Sequence, residues 1–193
     1  MFILVIKNIF LYLFIKSIKM NVDIYTDARS GASRKIQIAS IMIDQDDNEN
    51  HFVEKTTIGV IKDIWDEFRG KPNEFKANST IAETFSILKS LKCVDALYPE
   101  LKSVKIYTDS LNAFNFINKT NKDPNGEVGQ NPHKVRCVLI STIVKSIIET
   151  KTEMNSRGIE VDIMWVEGHS GCYFNEQVDL LCKARIQNKP FMS

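Results

Sequence analysis

Apolar and polar positions first alternate with a period of two. Val22, Ile24 and Thr26 alternate with Asp23 and Tyr25, which predicts a short strand over Val22–Thr26. Asp27-Ala28-Arg29-Ser30-Gly31 has the composition of a turn. Lys35–Ile43 predicts a second strand with Ile36, Ile38, Ser40 and Met42 on one face. An acidic turn over Asp44–Asn50 leads to a third strand, His51–Ile58. Links this short imply an antiparallel meander. The period then becomes helical. Val60, Ile61, Ile64, Trp65 and Phe68 form one apolar stripe, and Gly70–Lys76 is a loop. Ser79–Ala96 predicts a long helix carrying Ile81, Phe85, Leu88 and Leu91, with Pro99 beyond its end. Val104–Thr108 is a fourth strand, Ser110–Ile117 a short helix and Asn118–Pro132 a polar loop. His133–Asn155 is a long helix closed by Gly158. Ile159–Val166 is a fifth strand, Gly168–Phe174 a loop and Asn175–Gln187 a last helix.

Composition narrows this to one domain. The chain has 193 residues, 44% of them hydrophobic and 25% charged, which suits a single core and excludes wholesale disorder. Cys93, Cys137, Cys172 and Cys182 form no C-x-x-C pair, so a zinc ribbon or redox motif is not expected. Free thiols point to a cytoplasmic or other reducing compartment. The net charge of +1 advertises no global attraction to nucleic acid.

Residues 1–19 form an apolar extension unlike the rest. Lys7, Asn8, Lys16, Ser17 and Lys19 interrupt it, and its longest apolar run, Ile9–Ile15, is seven residues. A spanning helix needs about 20 predominantly apolar residues, and no small-residue cleavage site follows. Three readings stand: upstream sequence with the true start at Met20, a membrane or membrane-surface anchor, or a helix packed on the domain. Without its three lysines, 22 basic residues face 24 acidic ones, leaving −2. Membrane contact is expected only if this segment is retained.

Four carboxylates carry the chemistry. Asp23-Ile24-Tyr25-Thr26-Asp27 and Lys105-Ile106-Tyr107-Thr108-Asp109 are nearly the same pentapeptide, each ending a strand in Asp. If those strands are parallel neighbours, Asp27 and Asp109 meet at the edge where ligands collect. Two adjacent carboxylates repel unless a cation lies between them, and all-oxygen donors favour Mg²⁺ or Mn²⁺. Each alone reads equally as a turn-forming Asp. Glu83 fits a capping box with Thr80, yet it shares a helical stripe with Ile87 and Leu91, which face the core. Asp179 fits a helix-dipole acid and His169 an exposed loop histidine.

Gly168-His169-Ser170-Gly171, followed by Asn175-Glu176 and Asp179, resembles the terminal motif of type 1 ribonuclease H, G-H-x-G-x-x-x-N-E-x-x-D. Tyr25-Thr26-Asp27 and Thr108-Asp109-Ser110 resemble that family's first- and fourth-strand motifs, and Glu83 stands where the family has a helix-borne glutamate. The resemblance runs from about Asn21 to Gln187. It departs at Ala28-Arg29, where the family usually has Gly, and in two longer segments, Gly59–Lys76 and Asn118–Pro132.

The resemblance implies an α/β RNase H-like fold over residues 20–193. Its mixed five-stranded sheet would join an antiparallel meander to two parallel strands, flanked by helices. It implies metal-dependent endonucleolytic hydrolysis of the RNA strand of RNA–DNA hybrids, giving 5′-phosphate and 3′-hydroxyl ends. Asp27, Glu83, Asp109 and Asp179 would hold two Mg²⁺ (or Mn²⁺) ions about 3.5–4 Å apart. His169 would assist proton transfer or product release without binding metal. Asn78, Ser79, Thr80, Ser110 and Asn175 are candidate substrate contacts. Lys134, Arg136, Lys145 and Lys151 are candidate contacts to the DNA strand, or a solvated helix face. The partner is the hybrid, and no obligate protein partner is evident. A related nuclease or strand transferase, or a non-catalytic nucleic-acid-binding module on the same fold, are the alternatives.

Overall fold

Tyr25 of the first strand lies opposite Ile41 of the second and Tyr107 of the fourth, and that register organises the molecule. In the computed structural model, which describes residues 20–30, 35–57, 78–122 and 135–184, five strands form one sheet in the order β3-β2-β1-β4-β5. The strands are β1 (Met20–Ser30), β2 (Lys35–Asp44), β3 (Glu49–Thr57), β4 (Leu101–Thr108) and β5 (Glu160–Trp165). β1, β2 and β3 are an antiparallel meander. β4 is parallel to both β1 and β5. The helices are α1 (Ser79–Leu97), α2 (Leu111–Lys122), α3 (Val135–Ser156) and α4 (Tyr173–Lys183).

Alternation decides which helix meets which face. Val22, Ile24 and Ala28 of β1, with Ile36, Ile38 and Met42 of β2, join Ile81, Phe85, Leu88 and Leu91 of α1 and Ile140, Ile143 and Ile147 of α3 in the main core. The intervening residues Ala39 and Ile41 pack on Val178 and Cys182 of α4 on the other face. β2 is thus buried on both faces, which is why its run of apolar residues is nearly unbroken. α3 ends in a Schellman turn. Ile159 N–H donates to Met154 O at 3.0 Å and Gly158 N–H to Asn155 O at 2.9 Å, with Gly158 at φ +79°. Only a residue without Cβ adopts that backbone at little cost.

Three elements run differently from their sequence patterns. The predicted turn at residues 27–31 is strand through Ser30, because Asp27, Ala28, Arg29 and Ser30 pair with Ala39, Ile38, Gln37 and Ile36 of β2. The helix predicted to stop at Ile117 continues to Lys122, with Ile117 and Thr120 buried beneath it. The last helix begins at Tyr173, two residues early, with Glu176 N–H donating to Cys172 O. The expectations for residues 1–19, the helix and loop over 59–76, most of the 118–132 loop, and Lys134 lie outside the described residues.

A buried hydroxyl triangle joins β1, β2 and α1 behind the end of β1. Thr26 Oγ1 and Ser40 Oγ are 3.1 Å apart, Ser40 Oγ and Ser90 Oγ 2.7 Å, and Ser90 Oγ and Thr26 Oγ1 3.0 Å. Thr26 also donates to Ala39 O at 3.2 Å, and Ser90 Oγ lies 2.8 Å from Ser86 O. All three side chains are fully buried. Ser90→Ala removes one corner and leaves two hydroxyls short of a partner. It should cost about 1–2 kcal/mol, seen as a lower urea midpoint at unchanged m-value. An unaltered midpoint would mean the triangle contributes nothing to stability.

Candidate active site

The parallel pairing of β1 and β4 holds through Tyr25 and Tyr107, and both strands then reach an aspartate two residues on. Thr26 and Thr108 turn into the core and are fully buried, so the following carboxylates leave the core side. Asp27 Oδ1 accepts from Ala28 N–H at 2.7 Å. The Ala28 methyl belongs to the main core, so it does not stand between this backbone and solvent. Arg29 beside it is exposed.

Glu83 arrives from the first turns of α1. The capping-box reading fails here. The cap is Asn78, whose Oδ1 accepts from Ile81 N–H at 2.9 Å, so Glu83 is two residues past the position that could reach back. Its Oε2 instead accepts from Ser110 Oγ–H at 2.6 Å. Ser110 also accepts from Ala113 N–H at 3.2 Å, which caps α2 and ties it to Glu83.

Asp109 is fixed from three sides. Its backbone carbonyl accepts from the Trp165 indole N–H at 3.2 Å. Its Oδ2 faces Asn175 Nδ2 at 3.4 Å. A β-carbon on Gly168 would lie 3.3 Å from that same oxygen, so the turn comes close only because Gly168 has none. Asn175 is 3% exposed, and its Oδ1 has no hydrogen-bond partner among the described residues. His169 is exposed in the turn that follows, at φ +57°. Asp179 lies on α4, its Oδ2 paired with Lys183 one turn along the helix.

The four carboxylates share one field. Asp27 is pushed up from 3.8 to about 7, first by burial and then by Asp109, with Asp179 and Glu83 adding to the rise; the Ala28 N–H bond opposes it. Glu83 is raised by burial and by Asp109, while the Ser110 bond pulls it down. Among the described residues Asp27, Glu83 and Asp109 have no salt-bridge partner. Among those residues, too, no three His, Cys, Asp or Glu side chains are arranged to hold a metal ion as they stand.

Of the residues singled out in the sequence, Asp27, Glu83, Asp109, Asp179, Ser110 and Asn175 converge. Asn78 is occupied as a helix cap, Ser79 is exposed at the helix start, and Thr80 is buried, its carbonyl accepting from Thr84 Oγ1–H. Lys145 is exposed and Lys151 half-buried on α3, with exposed Glu149 between them, as on a solvated face. Sequence reasoning missed Trp165, the close approach of Gly168, and Lys183. The last was legible as an acid–base pair at i,i+4. Among the described residues no helix is long and apolar enough to cross a membrane.

The family model described as RNase H matches residues 19–187. None of the curated proteins compared with the chain matches it. A crystal structure of prototype foamy virus protease-reverse transcriptase, a CSH mutant, aligns with TM-score 0.54 at 15% identity, over 85% of this chain and 20% of that one. A foamy viral protease-reverse transcriptase solved with dsDNA aligns with TM-score 0.54 at 12% identity, over 88% of this chain and 94% of that one. At such identities the likeness shows the fold. The chain spans about a fifth of the length of the first of these structures.

Proposed function

This chain belongs to the RNase H family, and from that premise we propose that it hydrolyses the RNA strand of RNA–DNA hybrids in a reaction dependent on divalent metal. The observation that carries the reading is the convergence of Asp27, Glu83, Asp109 and Asp179, from four separate elements, on one electrostatic field. Burying like charges is costly, and folds keep such a cluster where a cation belongs. The donors are all oxygen, which suits Mg²⁺ or Mn²⁺. These four side chains would hold two such ions, with Asp179 first leaving Lys183. Bound there, the ions supply a lowered pKa for the attacking water and neutralise charge on the leaving 3′-oxygen.

The chain's own groups do the rest. Ser110 holds Glu83 by its Oε2, and Asn175 steadies Asp109 by its Oδ2. The Trp165 indole fixes the peptide from which Asp109 projects. His169, exposed on its turn, would assist proton transfer or product release. Cleavage would leave 5′-phosphate and 3′-hydroxyl ends. Discrimination would rest on the 2′-hydroxyl and on hybrid shape, so sequence preference should be weak. A structure of similar fold was solved with dsDNA, which supports a nucleic acid as the ligand class.

The test is cleavage of a labelled RNA–DNA hybrid by the full chain, with Mg²⁺ and with EDTA, beside single-stranded RNA, duplex RNA and duplex DNA. The expected result is cutting confined to the RNA strand of the hybrid and abolished by EDTA. Cutting of duplex DNA at a similar rate would move the chain to a different nuclease on this fold. No cutting by folded protein in either Mg²⁺ or Mn²⁺ would leave a nucleic-acid-binding module.

A further inference from the structure

Asp179 differs from the other three carboxylates in having a cation of its own. Lys183 is the last residue of α4, one turn after Asp179, and its ammonium pairs with Asp179 Oδ2. Position favours the pair twice. An acid placed four residues before a lysine is the better orientation on a helix, and a cation suits a helix C-terminus. The Asp179 side chain is 20% exposed and that of Lys183 48%, so the lysine can swing into water, while Asp179 lies close enough to Asp27 to act on its charge. Asp27, Glu83 and Asp109 have no such counter-ion among the described residues.

The geometry points to Lys183 as a tethered cation that competes with a divalent ion for Asp179 and so sets the metal concentration the site requires. The inference rests on the metal-dependent reading above. An oxygen already holding an ammonium must release it before it can join a metal's ligands. The apparent affinity there falls by the fraction of molecules in which Asp179 is free. The lysine is tethered, so dilution never removes it. Asp27, Glu83 and Asp109 hold no ammonium that a metal would have to displace among the described residues. The two metal positions should therefore differ, with the one that uses Asp179 the weaker.

The test is calorimetric titration of the metal-free full chain with Mn²⁺ at low salt, for wild type, Lys183→Met, Lys183→Arg and Asp179→Asn. Exposed ion pairs contribute about 0.2–1 kcal/mol, so Lys183→Met should tighten the weaker Mn²⁺ step by up to about fivefold. The Mg²⁺ concentration for half-maximal hybrid cleavage should fall by the same factor. Lys183→Arg keeps the charge and should stay near wild type. In an Asp179→Asn background Lys183→Met should leave the remaining Mn²⁺ binding unchanged, an outcome that loss of packing alone would not give. If wild type binds Mn²⁺ and Lys183→Met leaves the weaker step unchanged, the competition is overturned while the metal-dependent reading stands. If wild type binds no Mn²⁺, both fall together.

Discussion

Asp109→Asn should abolish hybrid cleavage while the protein stays folded. Asp109 is the most constrained member of the cluster, with Trp165 on its carbonyl, Asn175 on its Oδ2 and Gly168 close against its side chain. Asparagine has the same shape, and turned with its Oδ1 toward Asn175 it keeps that hydrogen bond. Packing and the β4–α2 connection are therefore retained, and the thermal midpoint without metal should hold or rise. What is lost is one negative charge facing the proposed ions. Metal-borne charge stabilisation contributes several kcal/mol to a transition state. Losing about 4 kcal/mol of it is roughly a thousandfold in rate. The check is single-turnover cleavage by purified variant of native circular dichroism. A folded Asp109→Asn protein retaining a tenth of wild-type activity in Mg²⁺ would remove Asp109 from the ligand set.

The second large effect is on stability, and its sign follows from Asp27. Folded Asp27 keeps its proton up to about pH 7, whereas an unfolded aspartate releases it near 3.8. Below about pH 4 both states hold the proton and the contribution is fully present. Between there and pH 7 only the folded state holds it, so stability falls as pH rises, and the loss is complete above 7. From pH 5 to pH 8 in EDTA, wild type should lose about 2–3 kcal/mol relative to Asp27→Asn, which has nothing to titrate there. Saturating Mg²⁺ should reverse the trend. A divalent ion binds the ionised carboxylate, and anything that binds only the folded state stabilises it. Urea unfolding of both proteins at the two pH values, with and without Mg²⁺, gives the comparison. Parallel pH profiles for wild type and Asp27→Asn would mean that Asp27 is not strained by burial and by Asp109.

The chain alone determined the order of its elements and the identity of its four carboxylates. Period-two and helical spacings are local, and so is the repeated strand ending at Asp27 and Asp109. An unbroken G-H-x-G-x-x-x-N-E-x-x-D motif is legible without knowing what lies across from it. Where partners come from elsewhere in the chain, local signals misled or were silent. Asp27-Ala28-Arg29-Ser30 has turn composition, yet β2 supplies a complete register that keeps it extended. Thr80 and Glu83 have capping-box spacing, yet Asn78 takes the cap and Ser110, 27 residues on, takes Glu83. No periodicity announces the Thr26–Ser40–Ser90 triangle or the indole bond to Asp109, because each joins separate elements, with partners 14 to 64 residues apart. The Asp27 proton is of the same kind. A carboxylate's type is written in the chain, but its burial and its like-charged neighbours exist only once β1, β4, α1 and α4 have met.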